Sequence, residues 1–99
     1  MSPGHIPIGE VPLEICARAR WWERVRQAAP LVSPWTCHIV AHLLARADAS
    51  PDFLLSMAEA FDEASNFVAI NGETELAAQL RRLADFPRDL APRRAKQET

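Results

Sequence analysis

Two histidines one helical turn apart have the spacing that most directly suggests chemistry in this sequence. His38 and His42 lie in a segment with a helical pattern, so one metal ion could contact both imidazoles. Zinc-protease helices carry a glutamate directly after the first histidine, and Ile39 occupies that position here. Cys37 is rotated by about 100° from His38, so a third ligand would come from elsewhere, such as His5. We keep a metal-binding protein as an alternative and predict no bound metal or cofactor.

Carboxylates are also close enough in sequence to act together. Glu59 and Glu63 lie one helical turn apart, with Asp62 beside them. General acid–base catalysis needs a cleft that separates the pKa values of such a pair, and a convex helix surface in water offers none. The sequence also has no glycine-rich phosphate loop, nucleophile elbow or serine–histidine–aspartate signature. We therefore predict a protein that is not an enzyme.

Helices are the elements that would position these residues, because strand signals are nearly absent. There is no tyrosine, and apolar and polar residues do not alternate beyond the first dozen positions. Prolines and serine caps mark the helix ends. They predict helices at about 12–29, 34–47, 51–70 and 73–86, an extended arm over 1–11 and a short, frayed basic tail over 87–99. The short loops predict one all-α domain, a compact four-helix array with roughly antiparallel neighbours.

The second helix is apolar on nearly every side, a pattern typical of a helix at the centre of an array. Only His38, His42 and Arg46 interrupt it, and we interpret them as a polar seam that contacts the acidic third helix or a partner. The third helix has an apolar face that we expect to enter the core. Its predicted members are Phe53, Leu54, Met57, Ala60, Phe61, Ala64, Phe67 and Val68.

Cysteine usage and the absence of targeting signals predict a cytoplasmic protein. Cys16 and Cys37 each fall in a helical stretch, whereas small secreted domains carry several cysteine pairs in loops. We therefore expect both thiols to be reduced. The N-terminus has no basic residue ahead of an apolar run, and the longest apolar stretch, 39–47, is too short to span a bilayer. No membrane partner is predicted.

Charge is segregated along the chain although the formal total is only −2. Residues 47–80 contain seven acidic residues and no lysine or arginine, whereas 1–46 and 81–99 carry net charges of +2 and +3. A patch of one sign steers partners of the opposite sign. The alternative is that these acidic groups pair with arginines inside the fold. We predict a partner-binding face on the third helix, with an apolar residue among its carboxylates: Asp52, Leu55, Glu59, Asp62 and Glu63.

The first helix offers a second candidate surface. Trp22 lies at the rim of its apolar stripe between Arg18 and Arg26, a combination typical of interface hot spots when it is exposed. The competing interpretation is that Trp22 covers the core. Together with Arg20 and Arg24, these arginines and the basic tail also define an alternative function, a dimeric DNA-binding regulator or antitoxin that contacts phosphates.

Residues 74–80 resemble the first helix of a helix-turn-helix DNA reader, although Arg81 stands where that motif turns through a glycine. The small size, charge segregation and lack of catalytic motifs resemble those of small phage- or mobile-element-encoded inhibitors, which include anti-CRISPR proteins. No residue is carried over from that likeness. It implies an inhibitor whose acidic face blocks a basic, nucleic-acid-handling surface of a larger protein or ribonucleoprotein complex. A tryptophan at the rim of the array is also compatible with a homodimer.

Overall fold

Four helices account for nearly all of the part of the chain that the structure describes. The computed structural model describes residues 13–98, and the arm predicted over 1–11 lies outside them. The helices are α1 (Leu13–Ala28), α2 (Pro34–Ala45), α3 (Pro51–Ile70) and α4 (Thr74–Glu98). The prediction of an all-α four-helix array with short loops is confirmed. None of the described helices combines the length and the apolar character needed to cross a membrane.

Serine side chains set the starts of α2 and α3. Ser33 Oγ accepts a hydrogen bond from the Thr36 backbone N–H at 3.2 Å, and Ser50 Oγ accepts one from the Phe53 backbone N–H at 3.1 Å. In each helix a proline follows the cap, where its missing N–H removes no helical bond. The caps satisfy backbone donors that have no partner within the helix, so these starts follow directly from the sequence.

Helix α4 continues through Pro87 and Pro92, and the prediction that it ends at residue 86 is wrong. A proline inside a helix removes one backbone hydrogen bond and crowds the preceding turn, at a cost of about 3 kcal/mol. Tertiary packing offsets that cost here. Pro87 is fully buried and Ala91 is only 2% exposed, so the C-terminal half of α4 contributes to the core rather than forming a frayed tail.

Polar side chains of α4 bond to the end of α1 and to the loops that follow α1 and α2. Gln79, itself buried, accepts a hydrogen bond from the Leu31 backbone N–H at 2.7 Å, and Arg82 donates to the Ala28 carbonyl at 3.2 Å. Near the C-terminal end, Arg94 Nη1 donates to the carbonyls of Arg46 and Ala47, each at 2.8 Å. These bonds hold α4 against the loop that follows α1 and the loop that follows α2.

The array consists of two hairpins, α1 with α2 and α3 with α4, that share one core. The array measures 56 × 37 × 14 Å along its principal axes, so it is flat. The buried core draws on all four helices and the loop after α1: Val25, Ala29, Val32, Cys37, Val40, Leu44, Leu54, Leu83 and Ala91. A flat array leaves a large outer surface on each hairpin.

Helix α2 lies at an edge of the array, so the prediction that it is central is wrong. It packs mainly on α1, and one face alone is buried, through Cys37, Val40, Ala41 and Leu44. Its opposite side is open, with Trp35 74% exposed. Helix α4 supplies the contacts to both hairpins instead, because its extension past Pro87 reaches the loop after α2.

The predicted apolar face of α3 is only partly buried. Leu54 and Ala58 are fully buried, whereas Phe53 and Phe67 are exposed. Both phenylalanines are rotated by about 100° or more from the stripe centred on Leu54 and Ala58. The predicted apolar face of α3 included too many residues, because α3 packs mainly on one neighbour, α4.

Candidate functional site

An acidic face runs along the outer side of α3. It consists of Asp52, Glu59, Glu63 and Leu55, all exposed. At about 100° per residue, the three carboxylates fall within a sector of roughly 40°, opposite the buried stripe that packs on α4. The periodicity that drives Leu54 inward therefore holds these carboxylates outward.

No arginine or lysine of the described residues neutralises the carboxylates of the acidic face. Arg46 pairs with Asp48 at 2.7 Å, and Arg88 pairs both with Asp85 at 3.2 Å and with Asp62. None of these pairs includes Asp52, Glu59 or Glu63. The alternative, in which arginines of α1 form ion pairs with these three carboxylates, does not occur among the described residues.

Asp62 differs from the other predicted members of the face. It is rotated by about 60° from Glu59 toward α4, where its carboxylate accepts a hydrogen bond from Arg88. Asp62 is partly buried, and Arg88 also bridges to Asp85 of its own helix. Asp62 therefore joins α3 to α4, and the structure separates it from the open acidic face.

Exposed apolar residues continue the acidic face toward the C-terminal end of α3. Phe67 is 68% exposed and Ile70 is 85% exposed. Phe67 follows Glu63 by four residues, and Ile70 follows Phe67 by three. These intervals place both residues on the same side of the helix as Glu59 and Glu63. The sequence interpretation assigned Phe67 to the core and missed Ile70. The spacing 59, 63, 67, 70 was the signal that could have found them.

Trp22 lies between α1 and α2 rather than on a free rim. Its ring stacks on His38, with centroids 3.8 Å apart and an interplanar angle of 6°, and the Arg26 guanidinium lies 5.8 Å from its centroid. Arg26 also donates to the Val32 carbonyl at 2.9 Å. Trp22 is half-buried against the core, whereas Arg18 is exposed. The structure therefore joins Trp22 to Arg26 within the fold and leaves Arg18 on the surface.

The arginines proposed to contact DNA have different surroundings. Arg24 lies 4.5 Å from the ring centroid of Trp21 and 5.3 Å from that of Phe86, which favours cation–π attraction. Arg18 and Arg20 are exposed to solvent. Helix α1 thus presents two cations outward, while Arg24 and Arg26 contact rings of the same molecule.

The two histidines of α2 are exposed, but the described residues do not assemble a metal centre around them. No group of three or more His, Cys, Asp or Glu within the described chain could hold an ion. Cys37 is fully buried, with its Sγ 3.9 Å from the carbonyl oxygens of Ala29 and Val32, on the side away from solvent. Both cysteines are free thiols, and His5 lies outside the described residues.

An ion pair occupies the loop between α2 and α3. The Arg46 guanidinium donates two hydrogen bonds to the Asp48 carboxylate, at 2.9 and 2.7 Å. This hydrogen bonding lowers the pKa of Asp48 below its ordinary value and raises the pKa of Arg46. The pair neutralises the one acidic residue between α2 and α3, and it lines a shallow pocket together with Phe53.

The resemblance of residues 74–80 to a helix-turn-helix does not extend into the structure. Helix α4 is uninterrupted at Arg81, where that motif would turn into a second helix.

Compared with protein families, curated proteins and solved structures, the chain has no match in any of the three.

Proposed function

We propose that this protein acts without catalysis, by docking the acidic face of α3 onto a basic surface of a larger protein or ribonucleoprotein. The observation that supports this proposal is the unpaired state of Asp52, Glu59 and Glu63. Carboxylates that serve the fold have a cation nearby, as Asp48 and Asp62 do, or lie in the first turn of a helix, as Asp52 does. Glu59 and Glu63 have neither. Carboxylates kept on one side of a helix without a cation raise the local negative potential instead.

The apolar neighbours of the acidic face offer the desolvated contacts that give a complex its affinity. Charge complementarity raises the association rate and selects the partner, whereas affinity depends mainly on a few well-desolvated apolar or aromatic contacts. Leu55 lies beside the carboxylates, and Phe67 and Ile70 lie beyond Glu63 on the same side. The combined surface has a charged centre with apolar flanks, which suits a groove lined by arginine or lysine and bordered by apolar residues.

A surface that normally binds nucleic acid is the partner class that fits best. Such surfaces carry rows of arginine and lysine that neutralise phosphates. From Asp52 to Glu63, the carboxylates extend over about 16 Å of helix, so they can face several cations of such a row at once. A protein of this kind would compete with nucleic acid for its target, as a small cytoplasmic inhibitor encoded by a phage or mobile element does.

Charge reversal at the centre of the face tests the proposal. Wild-type protein and a Glu59→Lys/Glu63→Lys variant serve as baits in extracts of the source cell, and the captured partner is then purified for affinity measurement. A matched control, Glu75→Lys/Asp89→Lys, makes the same change in formal charge at exposed positions of α4. Far-UV circular dichroism checks that each variant is folded.

We expect the wild type and the control to bind the partner, and the Glu59/Glu63 variant to bind at least tenfold more weakly. The affinity of the wild type should fall more steeply with added salt than that of the Glu59/Glu63 variant, because salt screens the attraction between the carboxylates and the partner's cations. Added nucleic acid should displace the wild type from its partner. Equal binding by all three proteins would show that the acidic face is not the docking surface.

A gel shift with generic duplex DNA separates the DNA-binding alternative. The proposal expects no retention of duplex by the wild-type protein at moderate salt. Retention that falls in an Arg18→Ala/Arg20→Ala variant would assign binding to α1, because phosphate contacts supply non-specific affinity. That result would contradict docking through the acidic face.

A further inference from the structure

An apolar surface follows α3 directly beside the acidic face. Its members recur at intervals of four, three, four and three residues, and they define the α3 edge face: Phe53, Met57, Ala60, Ala64 and Phe67. Phe67 is 68% exposed, Phe53 is 44% exposed and Ala60 is exposed, whereas Met57 and Ala64 are partly buried. At about 100° per residue, these positions fall within a sector of roughly 80° that contains no charged residue of α3.

Helix α4 packs on the opposite side of α3. Ser65 Oγ donates to the Ala77 carbonyl at 2.7 Å, and Asp62 accepts a hydrogen bond from Arg88. The direction midway between Ser65 and Asp62 is rotated by roughly 170° from Ala60. Since α3 packs mainly on α4, it lies at an edge of the flat array. A further helix on the α3 edge face would extend the array by one element.

The spacing of the α3 edge face indicates a helix as its occupant. Alternating steps of four and three residues are the pattern with which one α-helix packs along another. Phe53 and Phe67 are separated by about 21 Å along the helix axis, and small residues between them allow a neighbouring helix to approach closely. A flat surface would contact the two phenylalanines and leave space over Ala60.

Carboxylates border the α3 edge face on one side only. Glu63 is rotated by roughly 40° from Phe67, and Glu59 is rotated by a further 40° or so. Both glutamates are exposed. The other border is the row of Leu54 and Phe61, which packs into the core. A helix on this face would meet carboxylates along one flank, so the complementary helix carries cations on that flank alone.

Cations of this chain lie near the N-terminal end of the α3 edge face. Phe53 lines the shallow pocket together with Arg46, which pairs with Asp48. Arg94 Nη1 donates to the Arg46 carbonyl at 2.8 Å. Two guanidinium groups therefore lie close to this end, and the cations of a bound helix are favoured farther along α3, beside its central glutamates.

A second copy of this chain fits the α3 edge face poorly. In an antiparallel pair of α3 helices, the two acidic borders would meet and repel. In a parallel pair, the acidic border of each copy would meet the apolar row of Leu54 and Phe61 in the other. Neither arrangement provides a cation for Glu59 or Glu63.

We propose that the α3 edge face binds an amphipathic α-helix of the partner protein. This helix has apolar residues at alternating steps of four and three, and it has arginine or lysine along the flank beside Glu59 and Glu63. The inference rests on the proposed function, because it specifies the structural element that presents the partner's cations.

Fluorescence anisotropy with synthetic peptides and the full chain tests the proposal. The probe peptide has about 20 residues, the length of α3, with leucine at alternating steps of four and three and lysine along one flank. One control peptide has the same composition in an order that forms no apolar stripe, and another replaces lysine with glutamate. The probe should bind at least about tenfold more tightly than either control. Helical circular dichroism should rise on mixing, because a short peptide helix is marginal alone.

Uncharged substitutions locate the binding site. Ala60→Gln fills the space between the phenylalanines and should weaken binding of the probe peptide by at least about tenfold. Ala69→Gln is the matched control, because Ala69 is an exposed alanine on another side of α3, and it should leave binding unchanged. Phe53→Gln provides a second test of the same face. Circular dichroism checks that each variant is folded, and Phe53→Gln replaces Ala60→Gln if the latter is unfolded.

Four outcomes would overturn the proposal. They are absence of probe binding at about 1 mM, equal binding of the reordered peptide, and equal binding by wild type, Ala60→Gln and Phe53→Gln. The fourth is a wild type that dimerises in sedimentation velocity while Ala60→Gln stays monomeric, because a second copy would then occupy the α3 edge face.

The two proposals fail separately, because Ala60→Gln and Phe53→Gln change no residue of the acidic face. A captured partner that is lost with Glu59→Lys/Glu63→Lys but retained by both glutamine variants would leave the proposed function standing and refute a helix on the α3 edge face. A partner retained by Glu59→Lys/Glu63→Lys would refute the proposed function, whatever the peptides do.

Discussion

Helices α2 and α3 begin in the same way but end up with opposite outer faces. Each starts with a serine cap and a proline, and each buries a stripe that includes one fully buried leucine, Leu44 in α2 and Leu54 in α3. On the outside, α3 carries three unpaired carboxylates, whereas α2 carries Trp35 and Ile39 without any carboxylate. The inner faces are similar because both enter the core, and the outer faces differ in charge and in apolar exposure.

The largest expected effect is on the inner faces, where the two helices should behave alike. Leu44→Ala and Leu54→Ala should each lower the free energy of unfolding by about 2–5 kcal/mol, because each leaves a cavity at a fully buried site. Ile39→Ala and Leu55→Ala, the outer neighbours, should cost less than about 1 kcal/mol. Urea unfolding followed by circular dichroism, at a dilution where any dimer is dissociated, measures all four.

Equal losses at inner and outer positions would break this comparison. They would mean that Ile39 or Leu55 belongs to the core of the single chain, and that its exposed side chain is not available to a partner.

A smaller effect should distinguish the two neighbouring acidic residues on α3. Asp62→Asn removes the ion pair with Arg88 and should lower the free energy of unfolding by about 0–1 kcal/mol, in a way that added salt reduces. Glu63→Gln removes an unpaired carboxylate and should leave stability unchanged or slightly raised. Thermal unfolding at low and high salt compares the two variants. A greater loss for Glu63→Gln than for Asp62→Asn would place Glu63 in an internal ion pair and remove it from the open face.

The smallest effect concerns the ion pair between Arg46 and Asp48 in the loop between α2 and α3. Hydrogen bonding from Arg46 lowers the pKa of Asp48 below its ordinary value of 3.8 in the folded state. The pair therefore stabilises the fold above that value, and its contribution is lost as pH falls through the lowered pKa. An NMR titration of the Asp48 carboxyl should show its pKa rising in Arg46→Gln and staying unchanged in Arg81→Gln. An Asp48 that titrates identically in the wild type and Arg46→Gln would show that the Arg46 guanidinium does not hold this carboxylate in solution.

Local signals in the sequence were enough to predict where the capped helices begin. They were not enough to predict which helices pack against each other or how far α4 extends. Ser33 and Ser50 identify the starts of α2 and α3 because a cap bonds to its own helix. The length of α4 could not be found that way, because Pro87 is accommodated by tertiary contacts with distant residues. The edge position of α2 depends likewise on what α4 covers.

The acidic face was predicted from charge segregation and helical spacing, and its role in binding a partner stays a prediction. Asp52, Glu59, Glu63 and Leu55 lie on the exposed side of α3 as expected. The partner of Asp62 could not be predicted, because Arg88 is separated from it by 26 residues and by a proline that was expected to end the helix. Which carboxylates stay free is decided by the cations that the neighbouring helix brings within reach.

The prolines of α4 also make its last turns dependent on contacts with the rest of the fold. Because Pro87 and Pro92 have no N–H, the carbonyls of Leu83 and Arg88 lack the usual donor four residues ahead. Left alone, that stretch has little reason to coil. We therefore expect the helical state of this stretch to depend on the burial of Pro87 and on the hydrogen bonds from Arg94.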